Sequence, residues 1–258
     1  MRSRDLVDYF EKLYSTIETL PEFEKKTKGI ALRIFSSIEV YRFVSVRTKV
    51  PWVFIGLVHE MECSGNFSRQ ILNGEPWNQK TTLVPKGFGP WNSWAESVLD
   101  PATFSSLSKD DWSIGRVAIE LERWNGWGYA YKDKNSPYLW SGSNHGVGSG
   151  KFVKDGKYDE NAVSEQVGAM VILKRLEKMG IKSRCLKLSN KDPKVVFDKN
   201  GEHISEIVVD FQKTLNEMIL KYYKDQIDLL KIDGWAGKKT SDALFEITKL
   251  YLVGDPRK

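Results

Sequence analysis

Cysteine is nearly absent from this chain, with only Cys63 and Cys185 among its 258 residues. Two distant cysteines in apolar surroundings cannot supply a disulfide framework, so we expect free thiols and synthesis in a reducing compartment. Long apolar runs are missing too, since no segment reaches the ~18 apolar residues that a membrane span requires. The start of the chain leads into an amphipathic stretch with Glu11 and Lys12, not into a signal-peptide core.

Histidine is also scarce, which limits metal chemistry. The only histidines are His59, His145 and His203, and Cys63 stands where a zinc helix motif beginning at His59 would need its second histidine. A thiol peptidase built from Cys63 and His145 would lack an evident third orienting residue. We therefore predict no metal and no cofactor, and we interpret His59 as a buried helix residue.

Charge and aromatic content give weaker indications. The net charge is +5 with the lysines spread along the chain, so we expect no nucleic-acid partner, although a mildly basic surface suits an anionic polymer such as a cell wall. Nine Trp and ten Tyr are many for this length, and they concentrate between Trp77 and Trp140. Such rings either line a groove for a sugar chain or fill a core.

Apolar periodicity predicts a mainly helical protein of the α+β class. A strongly apolar run follows Pro51, and glycines and prolines break residues 64–90 into loops with one possible strand at 81–84. The polar stretch 186–203 has little to bury and is predicted to be a linker. The predicted helices cover residues 5–20, 22–48, 51–62, 92–99, 113–124 and 159–179, followed by one helix in the tail and another from Lys238.

A single acid stands out at the end of the apolar helix 51–62. Glu62 is followed by Cys63-Ser64-Gly65-Asn66-Phe67, and Trp52, Phe54 and Met61 precede it. Apolar neighbours should desolvate this carboxyl and raise its pKa, as a glycosidase acid requires in order to keep its proton near neutral pH. A glutamate at a helix end is more often simply solvated.

Two further motifs follow Glu62 along the chain. They are Glu122-Arg123-Trp124-Asn125-Gly126-Trp127-Gly128-Tyr129 and Ser136-Pro137-Tyr138-Leu139-Trp140. Their order after Glu62 resembles the signature of lytic transglycosylases and goose-type lysozymes, with Cys63 in place of a serine and Trp124 in place of a tyrosine. The run from Trp52 to Lys174 is also similar to a family of phage and bacterial lysozyme-like proteins. The shared features include Leu-Asn-Gly-Glu-Pro, Ser-Pro-Tyr-Leu-Trp-Ser-Gly-Ser-Asn-His and Gly-Lys-Tyr-Asp.

The resemblance implies a lysozyme-like helical fold with a short β wing and a long groove. It implies that Glu62 is the catalytic acid, that Asn125 and Gly126 form a substrate-contacting turn, and that Tyr138 steadies the acid. Trp124 and Asn66 occupy the neighbouring motif positions and are expected to contact substrate as well. The family's glycine–methionine–glutamine motif is not recognisable here.

No second catalytic carboxylate is obvious. Glu60 would point elsewhere on its helix, and Glu96 and Asp100 share a face that is more simply explained as solvated. Hydrolysis by a two-carboxylate route needs such a partner. The transglycosylase route does not, because the C6 hydroxyl of the sugar can close a 1,6-anhydro ring. The sequence therefore favours transglycosylation mildly over hydrolysis.

The tail carries its own motif. Phe211-Gln212-Lys213-Thr214-Leu215-Asn216 precedes Asp233-Gly234-Trp235-Ala236-Gly237-Lys238-Lys239-Thr240, a turn followed by a helix start. This pairing resembles a small three-helix peptidoglycan-binding domain; an ordinary helical hairpin is the alternative. The resemblance implies that Asp233, Gly234, Gly237 and Thr240 surround the wall contact.

We thus predict a catalytic domain at 1–185, the linker at 186–203 and a binding domain at 204–258. The expected activity is cleavage of peptidoglycan between MurNAc and GlcNAc by a monomer with no membrane span. The alternatives are a non-catalytic wall-binding or virion structural protein and a peptidoglycan peptidase. Without a recognisable signal peptide, the protein is expected to be made in the cytoplasm and to reach the wall by another route, such as phage-driven release.

Overall fold

A computed structural model describes residues 3–107, 112–154, 156–179, 195–248 and 251–257 of the chain. The protein is about half helical, with ten α-helices and one two-stranded sheet in these ranges, so the mainly α or α+β prediction is confirmed. None of the helices in the described ranges is both long enough and apolar enough to span a bilayer. Cys185 and residues 186–194 of the predicted linker lie outside the described residues.

The chain packs into two compact units whose segments alternate along the sequence. Unit 1 comprises Met1–Phe35, Pro51–Met61 and Leu107–Lys187, and unit 2 comprises Ser36–Val50, Glu62–Ser106 and Leu188–Lys258. The predicted domains 1–185 and 204–258 remain a prediction.

Unit 1 is built on amphipathic helices and on α4 (Trp52–Cys63), whose residues from Trp52 to Met61 are all buried. Helix α1 (Ser3–Ser15) packs along α6 (Ile114–Trp124), and the short α7 (Pro137–Trp140) packs on α8 (Ala169–Lys178). Unit 1 also contains all but the last residue of α2 (Pro21–Ser36) and all but the last two residues of α4. Fully buried Leu121, Leu139 and Trp140 belong to its core.

Unit 2 contains α3 (Ile38–Thr48), α5 (Trp94–Leu99), α9 (Glu206–Tyr222) and α10 (Lys238–Thr248). α3 packs against α5 and α9, and α10 against α5 and α9. Tyr41 and Phe67 meet the ring of Trp94 at centroid distances of 5.8 and 4.8 Å. This aromatic cluster anchors the long loop that follows α4.

Three sequence predictions about the helices need correction. The predicted helix 22–48 is two helices, α2 and α3, with Ser37 between them. The first helix ends at Ser15, not at residue 20. The predicted helix 159–179 begins only at Ala169, since residues before it form the end of a strand and a loop.

The β structure also lies elsewhere than predicted. Residues 81–84 form no strand, because the Glu75 carboxylate accepts hydrogen bonds from the backbone amides of Thr82 and Leu83 and holds them in a turn. The sheet consists of β1 (Lys151–Lys154) and β2 (Lys157–Asp159), paired antiparallel. The sheet therefore follows α7 in the sequence, whereas the strand was predicted after α4.

The tail has two helices in the described residues 195–248 and 251–257, α9 and α10, as the apolar pattern predicted, whereas the resemblance implied three. The described end of the predicted linker is attached to the tail. Val195 is buried, Val196 bridges Val253, and the amide of Phe197 donates to the carbonyl of Val253 at 2.8 Å. Backbone pairing therefore holds residues 195–197 in place.

Candidate functional site

Glu62 lies in the last turn of α4, where an entirely buried helix emerges at the surface. Every residue from Trp52 to Met61 is buried, whereas Glu62 and Cys63 are half-buried. The helix ends at Cys63 because Ser64 and Gly65 both adopt positive φ, 54° and 67°. The sequence placed Glu62 at the close of this helix, and the structure agrees.

The turn 70–75 is packed closely on the end of α4. A Cβ atom built on Gly74 would lie 2.5 Å from the backbone oxygen of Glu62, and Gly74 has a φ of 73°. Only glycine fits this position without displacing backbone, so the loop and the helix end are held at a fixed distance.

Asn66 contributes to the same turn through its side chain. Its Oδ1 accepts hydrogen bonds from the backbone amide of Ser68 at 2.9 Å and from the Ser68 hydroxyl at 2.8 Å. The side chain thus shapes the loop after Glu62. Its predicted contact with substrate remains a prediction.

The carboxylates considered as partners of Glu62 have structural roles instead. Glu60 is 6% exposed and forms a bidentate pair with Arg33, with contacts of 2.6 and 3.1 Å. Glu96 accepts from the backbone amide and the side chain of Asn92. Asp100 accepts from the indole nitrogen of Trp91 at 3.0 Å and from the amide of Ala102. These bonds cap the ends of α5 and the turn after it.

The second motif forms the end of α6. Trp124 is half-buried in the last helical position, and Asn125 caps the helix by donating its amide to the carbonyl of Leu121 at 3.0 Å. Gly126 is exposed with a φ of 89°, which turns the chain sharply away. This geometry matches the tight turn that the sequence predicts at Asn125-Gly126.

A side-chain hydrogen bond connects the second motif to the third. The Asn125 Nδ2 donates to the hydroxyl of Ser136 at 3.2 Å, and Ser136 immediately precedes α7. Tyr138, half-buried, belongs to that short helix. The structure therefore brings Asn125, Gly126 and the start of α7 together in unit 1.

Glu122, one turn before Asn125, is the residue that sequence reasoning missed. Its side chain is 2% exposed, and among the described residues neither carboxyl oxygen makes a hydrogen bond of normal geometry. Burial raises the pKa of Glu122 to about 7, and the neighbouring Ser136 hydroxyl offsets part of the rise. Glu122 lines a cleft of about 470 Å³ together with Trp127 and Tyr131.

The tail motif folds around one glutamine. Gln212, 1% exposed, donates through Nε2 to Asp233 Oδ1, to the Trp235 carbonyl and to Thr240 Oγ1 at 2.9–3.1 Å. Its Oε1 accepts from the amides of Asp233 and Gly234. The bond from Gln212 is the largest cause that lowers the pKa of Asp233.

The predicted wall-binding residues therefore lie together, in the turn at 233–237 and in the first turn of α10. Thr240, 2% exposed, also donates to the Trp235 carbonyl at 3.1 Å. Gly234 has a φ of 74°, and a Cβ on Gly237 would lie 2.7 Å from the Trp235 ring. Trp235 is 38% exposed on this loop. The Phe-Gln part of the motif could have identified Gln212, which the sequence prediction left out of the site.

Metal and thiol chemistry gain no support from the geometry. Within the described ranges, no group of three or more His, Cys, Asp and Glu side chains could hold a metal ion. The ring of His145 hydrogen-bonds the Thr16 hydroxyl at 3.0 Å and packs edge-on against Trp140, while His59 is fully buried. Both settings are typical of structural histidines.

The chain was compared with known proteins at the levels of family, sequence and structure. No protein-family model, no curated protein and no solved structure matches it.

Proposed function

We propose that this protein cleaves the glycan strands of peptidoglycan between MurNAc and GlcNAc, with Glu62 as general acid and then general base. The observation that carries the proposal is the position of Glu62, half-buried in the last turn of a helix whose ten preceding residues are all buried. A carboxyl at such a boundary can reach a substrate and still have one side screened from water. The Gly74 turn packed on its backbone fixes the helix end.

In the proposed reaction Glu62 first gives one proton to the substrate and then takes one proton back from it. The Glu62 carboxyl donates its proton to the bridging glycosidic oxygen as the C1–O bond breaks. The resulting carboxylate then takes the proton of the C6 hydroxyl of the MurNAc residue while that oxygen bonds to C1. The product is a 1,6-anhydro sugar, and Glu62 regains its proton. Attack by water in place of the C6 hydroxyl gives the hydrolytic product with the same proton balance.

The loop around Gln212 supports a wall polymer as the ligand. The polar side chains of Asp233 and Thr240 are held by Gln212, so the loop is ordered before any ligand arrives. A binding module of this kind raises the local concentration of a catalytic group on an insoluble polymer. Such a module would support the choice of polymer more than the choice of the bond that is cut.

A second candidate is a non-catalytic wall-binding protein of the same fold. It is favoured by one observation, that Asn66 and Asn125 both use side-chain groups in bonds to neighbouring serines. Each asparagine, within its own unit, is then less available to orient a sugar for cleavage. Purified sacculi distinguish the two candidates, because binding without soluble product indicates the second.

The test measures soluble sugar released from purified sacculi by the full chain and by Glu62→Gln. The matched control is Glu160→Gln, which removes the same charge from an exposed position. We expect release by the wild type and the control, and a loss of ~10²-fold or more in Glu62→Gln with unchanged melting temperature. Full activity in Glu62→Gln would contradict the proposed role of Glu62.

A further inference from the structure

A cleft of about 470 Å³ in unit 1 has no role in the proposed function. It is lined from α1 by Tyr9 and Phe10 and from the loop after α6 by Trp127 and Tyr131. The ring of Tyr131 is 86% exposed, and Tyr9 is 41% exposed. Four aromatic side chains thus border a space large enough for a small organic ligand.

The same cleft is lined by a buried carboxyl that has no charged partner among the described residues. Glu122 is the most buried polar residue of the lining, at 2% exposure; neither of its oxygens makes a hydrogen bond of normal geometry there, and the Ser136 hydroxyl offsets only part of the effect of burial. Its neighbour Glu120 is equally buried, but Arg116 and Arg123 pair with it at 2.8 and 3.3 Å. Burying an ionised carboxyl without a positively charged partner costs free energy, so a cation from outside the chain would stabilise the ionised form of Glu122.

The charges around the cleft favour a cation. Asp133 and Lys134 also line it, so an ionised Glu122 gives the lining a net charge of one negative unit. Asp133 acts on Tyr9 across the cleft, since its charge helps to raise the pKa of that phenol. Other titratable groups lie on elements packed against α6: Asp5, Asp8, Glu11, Lys12 and Tyr14 on α1 and Tyr138 on α7. Burial, with a contribution from the charge of Glu122, raises the pKa of Tyr129.

The backbone at Trp127 is a further sign of a specialised site. Its φ is 60°, a conformation that costs a bulky residue on the order of 1–3 kcal/mol and that persists only where the surroundings enforce it. The amide of Trp127 donates to the carbonyl of Glu122 at 3.2 Å, which holds this residue beside the acid. The strained turn thus places an indole on the lining next to Glu122.

We propose that this cleft binds a primary ammonium group on an unbranched alkyl chain, held by the Glu122 carboxylate and the rings of Tyr9, Trp127 and Tyr131. An ammonium supplies three N–H donors and a positive charge to a carboxylate whose neighbouring donor among the described residues is the Ser136 hydroxyl, and aromatic rings beside a carboxylate attract alkylammonium ions through cation–π and Coulombic interactions. The alkyl chain would lie against Leu6 and Phe10. This site is additional to the proposed function and does not depend on which bond the protein cleaves.

The proposal has a pH dependence of definite sign. Because burial raises the pKa of Glu122 to about 7, the carboxylate form that attracts a cation is the minor form below that pH. Affinity for an alkylammonium should therefore rise about tenfold for each pH unit up to about 7 and level off above it, until the amine itself deprotonates near pH 10. A neutral ligand such as a sugar would not show this rise.

The experiment is calorimetric titration of the full chain with 1,5-diaminopentane between pH 5.5 and 8.5. We expect binding that strengthens towards pH 7, at least tenfold weaker binding to Glu122→Gln, and several-fold weaker binding to Tyr131→Ala. Glu160→Gln should bind like the wild type. Tyr131 is exposed, so its variant keeps the test open if Glu122→Gln should fail to fold.

Further ligands distinguish a free diamine from an amine carried on a peptide, and both of these from a neutral ligand. Stronger binding of Nα-acetyl-lysine amide than of 1,5-diaminopentane identifies an amine carried on a peptide, and the reverse order identifies a free diamine. Pentanol or N-acetylglucosamine binding as well as the amine would overturn the proposal. So would affinity that is independent of pH, or equal in the wild type and Glu122→Gln. These readouts are separate from sacculus cleavage, so each proposal can fail without the other.

Discussion

Helices α4 and α6 each carry a glutamate in their last turn, and each is followed by a glycine of positive φ, Gly65 and Gly126. The glutamates differ in burial. Glu62 is half-buried at the end of a helix whose preceding residues are all buried, whereas Glu122 is 2% exposed on an amphipathic one. On α4 the acid within the buried run, Glu60, is paired with Arg33, and Glu62 reaches the surface where the helix ends. The amphipathic α6 instead carries a buried acid, Glu122, which lines a cleft together with the loop 127–136.

The largest expected difference between the two acids is in activity. Glu62→Gln should lose ~10²-fold or more of sacculus cleavage, since it cannot donate a proton. Glu122→Gln should retain activity within roughly tenfold, since Glu122 has no assigned role in proton transfer. Sugar release per minute from equal amounts of folded protein measures both. The reverse order of losses would mean that the catalytic acid is Glu122.

The next difference is in stability and its pH dependence. Burial raises the pKa of Glu122 to about 7 in the folded state, whereas a glutamate in the unfolded chain has a pKa near 4.3. Between these two pH values Glu122 is protonated in the folded state and ionised in the unfolded state. Wild-type stability should therefore fall between about pH 4 and 7, by on the order of 3 kcal/mol, relative to Glu122→Gln. Urea unfolding of both proteins at pH 5, 6, 7 and 8 gives this difference. A constant difference across the series would show that Glu122 is not buried in solution.

Two glycines near the helix ends should respond differently to alanine. Gly74 combines a φ of 73° with a Cβ position 2.5 Å from the Glu62 carbonyl oxygen, so Gly74→Ala should destabilise by roughly 2–4 kcal/mol. Gly126 has a φ of 89° but open space around its Cβ, so Gly126→Ala should cost only about 1 kcal/mol. Denaturant midpoints with equal m-values provide the comparison. Equal losses would show that the 70–75 turn does not press on α4.

The smallest effect concerns the bond that joins the end of α6 to α7. Ser136→Ala removes the acceptor of the Asn125 side chain and the hydroxyl beside Glu122, and should cost about 1 kcal/mol. Because that hydroxyl lowers the pKa of Glu122, its loss should move the pH dependence of stability to higher pH. Urea unfolding of this variant over the same pH series tests both effects. A dependence of stability on pH that is the same as in the wild type would show that the Ser136 hydroxyl does not act on Glu122.

Much of the helical pattern could be predicted because apolar spacing determines it locally. The α4 run and its end at Glu62 follow from Trp52 to Val58 and the Ser64-Gly65 pair, and α6 follows from Ile114, Val117 and Leu121. The break at Ser36-Ser37 was missed because both sides share one apolar period. The strand prediction at 81–84 failed because side-chain bonds from Glu75 outweighed local β propensity.

The candidate site was predicted only in part, for a physical reason. The resemblance to the lysozyme-like family implied a turn at Asn125 and Gly126, and the structure has a tight turn there; their contact with substrate stays a prediction. Glu122 was missed because nothing in Leu121-Glu122-Arg123 reveals that Tyr9 and the loop 127–136 will cover it. Burial of an acid by segments distant in sequence is a tertiary property. Gln212 is a milder case, since its neighbours in sequence do not indicate how many bonds it makes.

The central claim is that Glu62 breaks the glycosidic bond of the wall polymer, and mass spectrometry of digested sacculi tests it most directly. Wild type and Glu160→Gln should release muropeptides ending in 1,6-anhydro sugars, or the same fragments heavier by one water, and Glu62→Gln should release neither. Products with new free amino groups and intact glycan strands would contradict the claim, as would the same sugar fragments from Glu62→Gln.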